Sequence, residues 1–166
     1  MRPYAFSDAD LATDPSRRSR SAIVLMMNGG PLYCKSFLQS VIQLSTCCSE
    51  IIASAQTSID IQGVRSLLSE LGFKQTAASR QYCDNKAAVQ IMNGEASLSQ
   101  STKHIEMRFL MVRQLIAAGI ILLDYVKTDH NISDLLSKNL GRTLYTKFRD
   151  AMLGLNHHMH GHLFKQ

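Results

Sequence analysis

Gln81-Tyr82-Cys83-Asp84-Asn85-Lys86-Ala87-Ala88-Val89 is the stretch whose reading decides the fold. Its first three residues favour β-structure, and a helix-favouring run opens directly behind Asp84, with Asn85 placed to cap it. A carboxylate at the end of a strand, just before a helix N-terminus, lies where open α/β sheets place ligands. The same position also suits an Asp that only caps a helix. Asp84 therefore takes its meaning from the segments on either side.

Upstream, Tyr4 to Ser7 is extended in character and runs into Asp8-Ala9-Asp10, so Asp8 is expected to end the first strand. Residues 13–21 are polar and basic around Pro15 and read as a loop. Ala22 to Met27 is an apolar run of strand length, Asn28-Gly29-Gly30-Pro31 is turn chemistry, and Leu32 to Ser36 reads as the returning strand. Three strands on short turns predict an antiparallel meander. Ser45-Thr46 can cap a helix running to about Leu71 and closed by Gly72, with Ile52, Ala55, Ile59, Val64, Leu67 and Leu71 as one buried stripe. Glu50 lies near its start, where the helix dipole alone would favour a carboxylate.

Downstream, the pattern predicts a strand over Ser79–Cys83, a helix over Asn85–Met92 and a polar loop over 93–100. A second amphipathic helix opens at Ser101, with Ile105, Phe109, Val112 and Ile116 on one face and Gly119 closing it. Ile120 to Val126 reads as a strand and Thr128 to Asn131 as a loop. Ile132 to Lys138 reads as a brief helix carrying Asp134, and Thr143 to Leu153 as a last helix. The order β-β-β-α-β-α-α-β-α-α implies an α/β sheet, antiparallel in front and parallel behind, with helices against its faces.

A length of 166 residues suits one domain, assigned to 1–155, followed by a His-rich tail over 156–166. An excess of 18 Lys+Arg over 13 Asp+Glu gives +5, compatible with a polyanionic partner without requiring one. Cys34, Cys47, Cys48 and Cys83 show no Cys-x-x-Cys and no metal-ligand spacing, which points to buried, reduced thiols. No apolar run approaches the ~18 residues that span a bilayer. Asp8 and Asp10 precede any apolar stretch, so no signal peptide is read. The expectation is an intracellular monomer that does not engage membranes.

Five stretches together resemble the RNase H domain of copia-type LTR retrotransposon polyproteins. They are Phe6 to Ala12 with Asp14-Pro15 and Arg17-Arg18-Ser19; Leu44 to Ala53; Tyr82 to Val89; Ser101 to Arg108; and Asp124 to Thr128 with Ile132 to Lys138. The resemblance covers residues 4 to 155 and implies a ribonuclease H-like fold with a five-stranded mixed sheet flanked by helices. It implies a metal-dependent endonuclease that hydrolyses the RNA strand of an RNA–DNA hybrid during reverse transcription. Asp8, Glu50, Asp84 and Asp134 carry over as the catalytic carboxylates and metal ligands. Asp8 and Asp84 would be the main ligands, one of them bridging, with Glu50 and Asp134 each completing one ion. The chemistry suits two Mg²⁺ ions, or Mn²⁺ in their place, because paired hard cations serve both the attacking and the leaving oxygen.

The resemblance also suggests nucleic-acid contacts at Arg17, Arg18, Lys35, Ser45, Thr46, Asn85, Lys103, His104 and Arg108, against plainer readings as helix caps or solvated surface. His130, four residues before Asp134, is an auxiliary candidate for proton transfer, and an incidental loop His otherwise. His157, His158, His160 and His162 read as an exposed tail more than a built metal site. Several positions depart from the family pattern. Cys48 stands for a second acidic residue, Ile51 for an aromatic, Ser36-Phe37-Leu38 for Ser and two basic residues, Ala22 for a glycine and Cys34 for a tryptophan. These changes touch packing and the basic surface more than the carboxylates. The chain opens on Met and carries no protease, integrase or polymerase segment, so a free-standing gene product and a silent, nucleic-acid-binding remnant both stay open, beside a reverse transcriptase domain of the same polyprotein as partner. A nuclease of the same fold acting on DNA is the third reading.

Overall fold

The computed structural model describes residues 2–97 and 105–155. Its sheet has five strands in the order β3-β2-β1-β4-β5. They are β1 (Tyr4–Asp10), β2 (Arg20–Met27), β3 (Gly30–Leu38), β4 (Ser79–Cys83) and β5 (Ile121–Tyr125). The helices are α1 (Thr46–Glu70), α2 (Lys86–Asn93), α3 (Glu106–Ala117), α4 (Asp134–Ser137) and α5 (Arg142–Met152). The first three strands pair antiparallel, while β1–β4 and β4–β5 pair parallel, so the element order and the mixed sheet follow the sequence pattern.

Burial explains the strand compositions. β1 lies between β2 and β4 and is buried from Tyr4 to Ala9, so it tolerates no clean alternation of polar and apolar residues. β5 is an edge, and its first residues alternate: Ile121 and Leu123 are buried while Leu122 between them is exposed. β3, the other edge, is mostly exposed and carries Pro31 and Lys35, residues that discourage further pairing.

Two cores lie on opposite faces. Ile51, Ile52, Ala55 and Ile61 of α1 pack with Val89 and Met92 of α2 and Phe109, Val112 and Leu115 of α3 over one face. On the other, Phe6, Val24, Tyr82, Val126 and Ile132 pack with Phe148 and Ala151 of α5. Phe6 and Tyr82 stack there with ring centroids 5.0 Å apart. Each fully buried large side chain of this kind contributes about 1.5–3 kcal/mol.

Helix α1 starts and ends as its sequence predicts. The Ser45 side chain accepts from the Cys48 N–H at 3.2 Å, and Gly72 follows the helix at φ +87°. Its buried stripe differs from the expectation. Ile52 and Ala55 are buried, but Ile59, Leu67 and Leu71 are exposed. The first half is wedged between the sheet and the other helices and is buried nearly all round, Cys48 through Ala55 without a break. A helix of 25 residues runs about 37 Å and outreaches strands of five to nine residues, so its second half is covered on little of its surface.

Two smaller expectations are also corrected. The four cysteines are free thiols, yet Cys34 is exposed on edge strand β3, so they are not all buried. Strand β1 continues past Asp8 to Asp10, because Ala9 and Asp10 still pair with Ser21 and Arg20 of β2.

Candidate functional site

The position of Asp8 within β1 is what makes the site. The β1–β4 pairing ends at Ser7 and Cys83, so the next residues, Asp8 and Asp84, emerge together where the two parallel strands part. Such a parting point at the C-terminal ends of parallel strands is a natural ligand crevice. Helix α1 brings Glu50 over this point, pinned to the sheet by a Ser7–Ser54 hydroxyl pair at 3.1 Å and by Gln39, which donates to Ser21 Oγ and the Ser49 carbonyl. Helix α4 brings Asp134 from the other side.

Ligand-type oxygens of Asp8, Asp84 and Asp134 lie within 4.8 Å of one another, and so do ligand atoms of Glu50, Cys83 and Asp84. Asp84 is common to both groups. The four sequence-predicted carboxylates therefore converge. Asp8, Glu50 and Asp134 are buried, and Asp84 is partly open to solvent.

Asp8, Glu50 and Asp134 each have a hydrogen-bonded holder. Asp8 accepts from Ser137 Oγ and pairs with Lys138 Nζ at 3.0 Å. Asp134 Oδ1 lies 3.0 Å from the same ammonium, one helical turn along the chain. Glu50 Oε1 accepts from the Ala9 N–H at 3.1 Å, and Oε2 accepts from the Cys83 thiol at 3.6 Å. Thr128 and Asn131 are the polar side chains that favour the charged form of Asp84. Asn131 also donates to the Ser7 carbonyl at 3.0 Å and is itself fixed by Ser133, whose hydroxyl donates to Asn131 Oδ1 at 2.6 Å.

Burial and mutual repulsion dominate the electrostatics. Burial, then Asp8 and Asp84, push the Glu50 carboxyl well above its usual range. Burial and then Asp8 raise Asp134 to about 7, against the pull of Lys138. Asp84 moves up for the same two reasons, opposed by Thr128, Lys138 and Asn131. Burial alone would depress the Lys138 ammonium, but Asp8 and Asp134 outweigh it and the net shift is upward. Burial, then Glu50, push the Cys83 thiol far up, so it stays protonated. A protonated sulfur is a poor partner for a hard cation, and the donor set that remains is carboxylate oxygen alone. That set fits Mg²⁺ or Mn²⁺.

The other candidate residues fall around this centre with different roles. Asn85 caps α2, its Oδ1 accepting from the Ala88 N–H at 3.0 Å, and Ser45 caps α1, so both side chains have structural employment. Thr46 and Arg17 are exposed. Arg18 donates to Ser16 Oγ at 3.0 Å, and the Lys35 ammonium sits 4.8 Å from the centre of the Phe37 ring. Arg108 is exposed on α3. His130 lies in a 3-10 turn (Thr128–His130) with Nδ1 3.0 Å from Asp129 Oδ1, and neither carboxylate group includes it. Lys103, His104 and the His-rich tail lie outside the described residues.

Sequence reasoning gave no role to Asn131, Ser137, Lys138 or Cys83. Lys138 alone had a usable signal, a lysine four residues after Asp134 on the same helical segment.

No family model matches the chain. The retrovirus-related Pol polyprotein from transposon TNT 1-94 of Nicotiana tabacum is 28% identical over 141 residues, 84% of this chain. That from transposon RE1 of Arabidopsis thaliana is 30% identical over 146 residues, 87% of this chain. The chain spans about 10% of the length of either relative. Among solved structures, LC11-RNase H1 in complex with RNA/DNA hybrid superposes with a TM-score of 0.63 at 13% identity, covering 81% of this chain and 93% of that one. RNase H1 from the halophilic archaeon Halobacterium salinarum superposes at 0.59 and 15% identity, covering 82% and 95%. Among the described residues, no helix is long and apolar enough to cross a membrane. The chain is thus similar to a part of the retrovirus-related Pol polyproteins of transposons TNT 1-94 and RE1, and its fold is that of ribonuclease H domains.

Proposed function

We propose that the chain is a ribonuclease H that hydrolyses the RNA strand of RNA–DNA hybrids, acting with a reverse transcriptase domain of the same polyprotein inside the cell. The convergence of Asp8, Asp84 and Asp134 within 4.8 Å, with Glu50 reaching the same Asp84, carries this reading. Two divalent cations bound there would supply a nucleophilic water at neutral pH and a charge-stabilised leaving oxygen. Asp84, the carboxylate shared by both groups and the most open to solvent, is suited to face both cations and the scissile phosphate. Glu50, held from two sides by Ala9 and Cys83, would complete one cation position; Asp134 would complete the other. Asn131 and Thr128, the polar side chains that favour the charged form of Asp84, would help to orient it, as second-layer partners do. Exposed Arg17, Thr46 and Arg108, with half-buried Arg18 and Lys35, would meet strand phosphates, and hybrid shape and 2′-hydroxyls would set specificity.

A second reading, a silent hybrid-binding module, draws on the segment behind Lys35. Phe37 and Leu38 stand there in place of basic side chains that would grip a backbone, and Val41, Ile42 and Leu44 beyond them are exposed. One assay separates the two. A hybrid labelled on its RNA strand is incubated with Mg²⁺ and either the native chain or Asp84→Asn. Cleavage by the native chain alone supports the enzyme, whereas binding without cleavage, with Mn²⁺ as with Mg²⁺, supports the silent module.

A further inference from the structure

Lys138 occupies the place of a cation. Its Nζ lies 3.0 Å from Asp8 Oδ1 and 3.0 Å from Asp134 Oδ1, in a cluster where four carboxylates converge. Ser137 and Asn131, the neighbouring donors, are neutral and cannot offset that charge. We infer that Lys138 is the resident counter-cation of the cluster: it holds the metal-free site together and competes with divalent ions for Asp8 and Asp134. The inference rests on the metal reading proposed above and adds a residue that opposes loading.

An ammonium 3.0 Å from Asp8 and Asp134 and a cation coordinated to them at about 2.1 Å would repel each other at close range and draw on the same carboxylate charge. Loading therefore favours departure of the Lys138 head group. The side chain can leave, because it is 31% exposed. It also has somewhere to go. Lys138 lines a cleft of about 430 Å³ together with Asp10, Asp14, Arg20, Ser36 and Asn139. Asp10 and Asp14 offer the displaced ammonium new acidic partners there. A plain structural ion pair, in contrast, would only anchor α4 to β1, and its loss would loosen the site for every ligand.

Mn²⁺ binding to the full chain, measured by calorimetry at pH 8 without nucleic acid, distinguishes these roles. Lys138→Met is expected to bind Mn²⁺ roughly tenfold more tightly than the native chain, since one repelling charge is gone. Lys138→Arg keeps the charge and is expected to bind as the native chain does. In EDTA, Lys138→Met is expected to melt several degrees lower, with excess Mn²⁺ closing the gap. Equal or weaker Mn²⁺ binding by Lys138→Met overturns the inference and leaves the metal reading standing. A native chain that binds no Mn²⁺ overturns the metal reading, and the competition with it.

Discussion

Asp8, Glu50, Asp84 and Asp134 stand where the parallel strands part, three of them held by a named neighbour, whereas the rim from Arg17 through Lys35 to Thr46 is exposed or half-buried and sparsely tied. Inside, a lost partner leaves a buried charge or a buried donor uncompensated, which costs about 1–3 kcal/mol or more. On the rim, water replaces any missing contact. The two regions should therefore answer substitution very differently, steeply within and gradually without.

The largest effect is expected at Glu50. Glu50→Gln keeps the shape but removes a charge from the cluster, and steady-state cleavage of a hybrid should fall about a thousandfold, equivalent to ~4 kcal/mol of transition-state stabilisation. A loss under tenfold would place Glu50 with the helix caps. Next comes Asn131→Ala, which removes a polar neighbour that favours the Asp84 carboxylate and the bond donated to the Ser7 carbonyl. Urea unfolding should show about 2 kcal/mol of lost stability, and cleavage should drop some 10- to 100-fold.

The third prediction concerns pH in EDTA. Asp134 has its pKa raised from the ordinary carboxylate range to about 7, so the folded state binds its proton more tightly than the unfolded chain does. Its stabilising contribution is complete below the unfolded pKa and is lost as pH rises from about 4 through about 7. The melting temperature of the native chain should therefore decline relative to Asp134→Asn across that window. A parallel pair of curves would break the argument. The smallest effect belongs to the rim: Arg17→Ala or Lys35→Ala should weaken hybrid binding less than about tenfold and reduce the salt dependence by about one phosphate contact. If either abolished binding, the rim would be as specified as the interior.

The same division governs what the sequence made legible. Ser79–Cys83 forms a strand where its β-favouring residues predict one, and α1 is bounded by signals that act locally, the Ser45 cap and the Gly72 turn. The four carboxylates were legible through their places in the element order and through a family resemblance. The holders were not. Asn131 reaches Ser7 across 124 residues of chain, and nothing near it in sequence marks that contact. Ser137 meets Asp8 across 129. The buried stripe of α1 was misread because periodicity assumes one covered face, while the helix is enclosed at its start and bare at its end. The exposed Val41, Ile42 and Leu44 mark the rim as the least specified part of the site.

The most direct test of the central claim is a crystal structure of the chain with an RNA–DNA hybrid and Ca²⁺, a cation that prefers oxygen ligands but is larger and less demanding in geometry than Mg²⁺. Ions are expected on Asp8, Glu50, Asp84 and Asp134, with an RNA phosphate over Asp84 and the Lys138 ammonium withdrawn from Asp8. Ions bound elsewhere, or a hybrid seated away from these carboxylates, would contradict that claim.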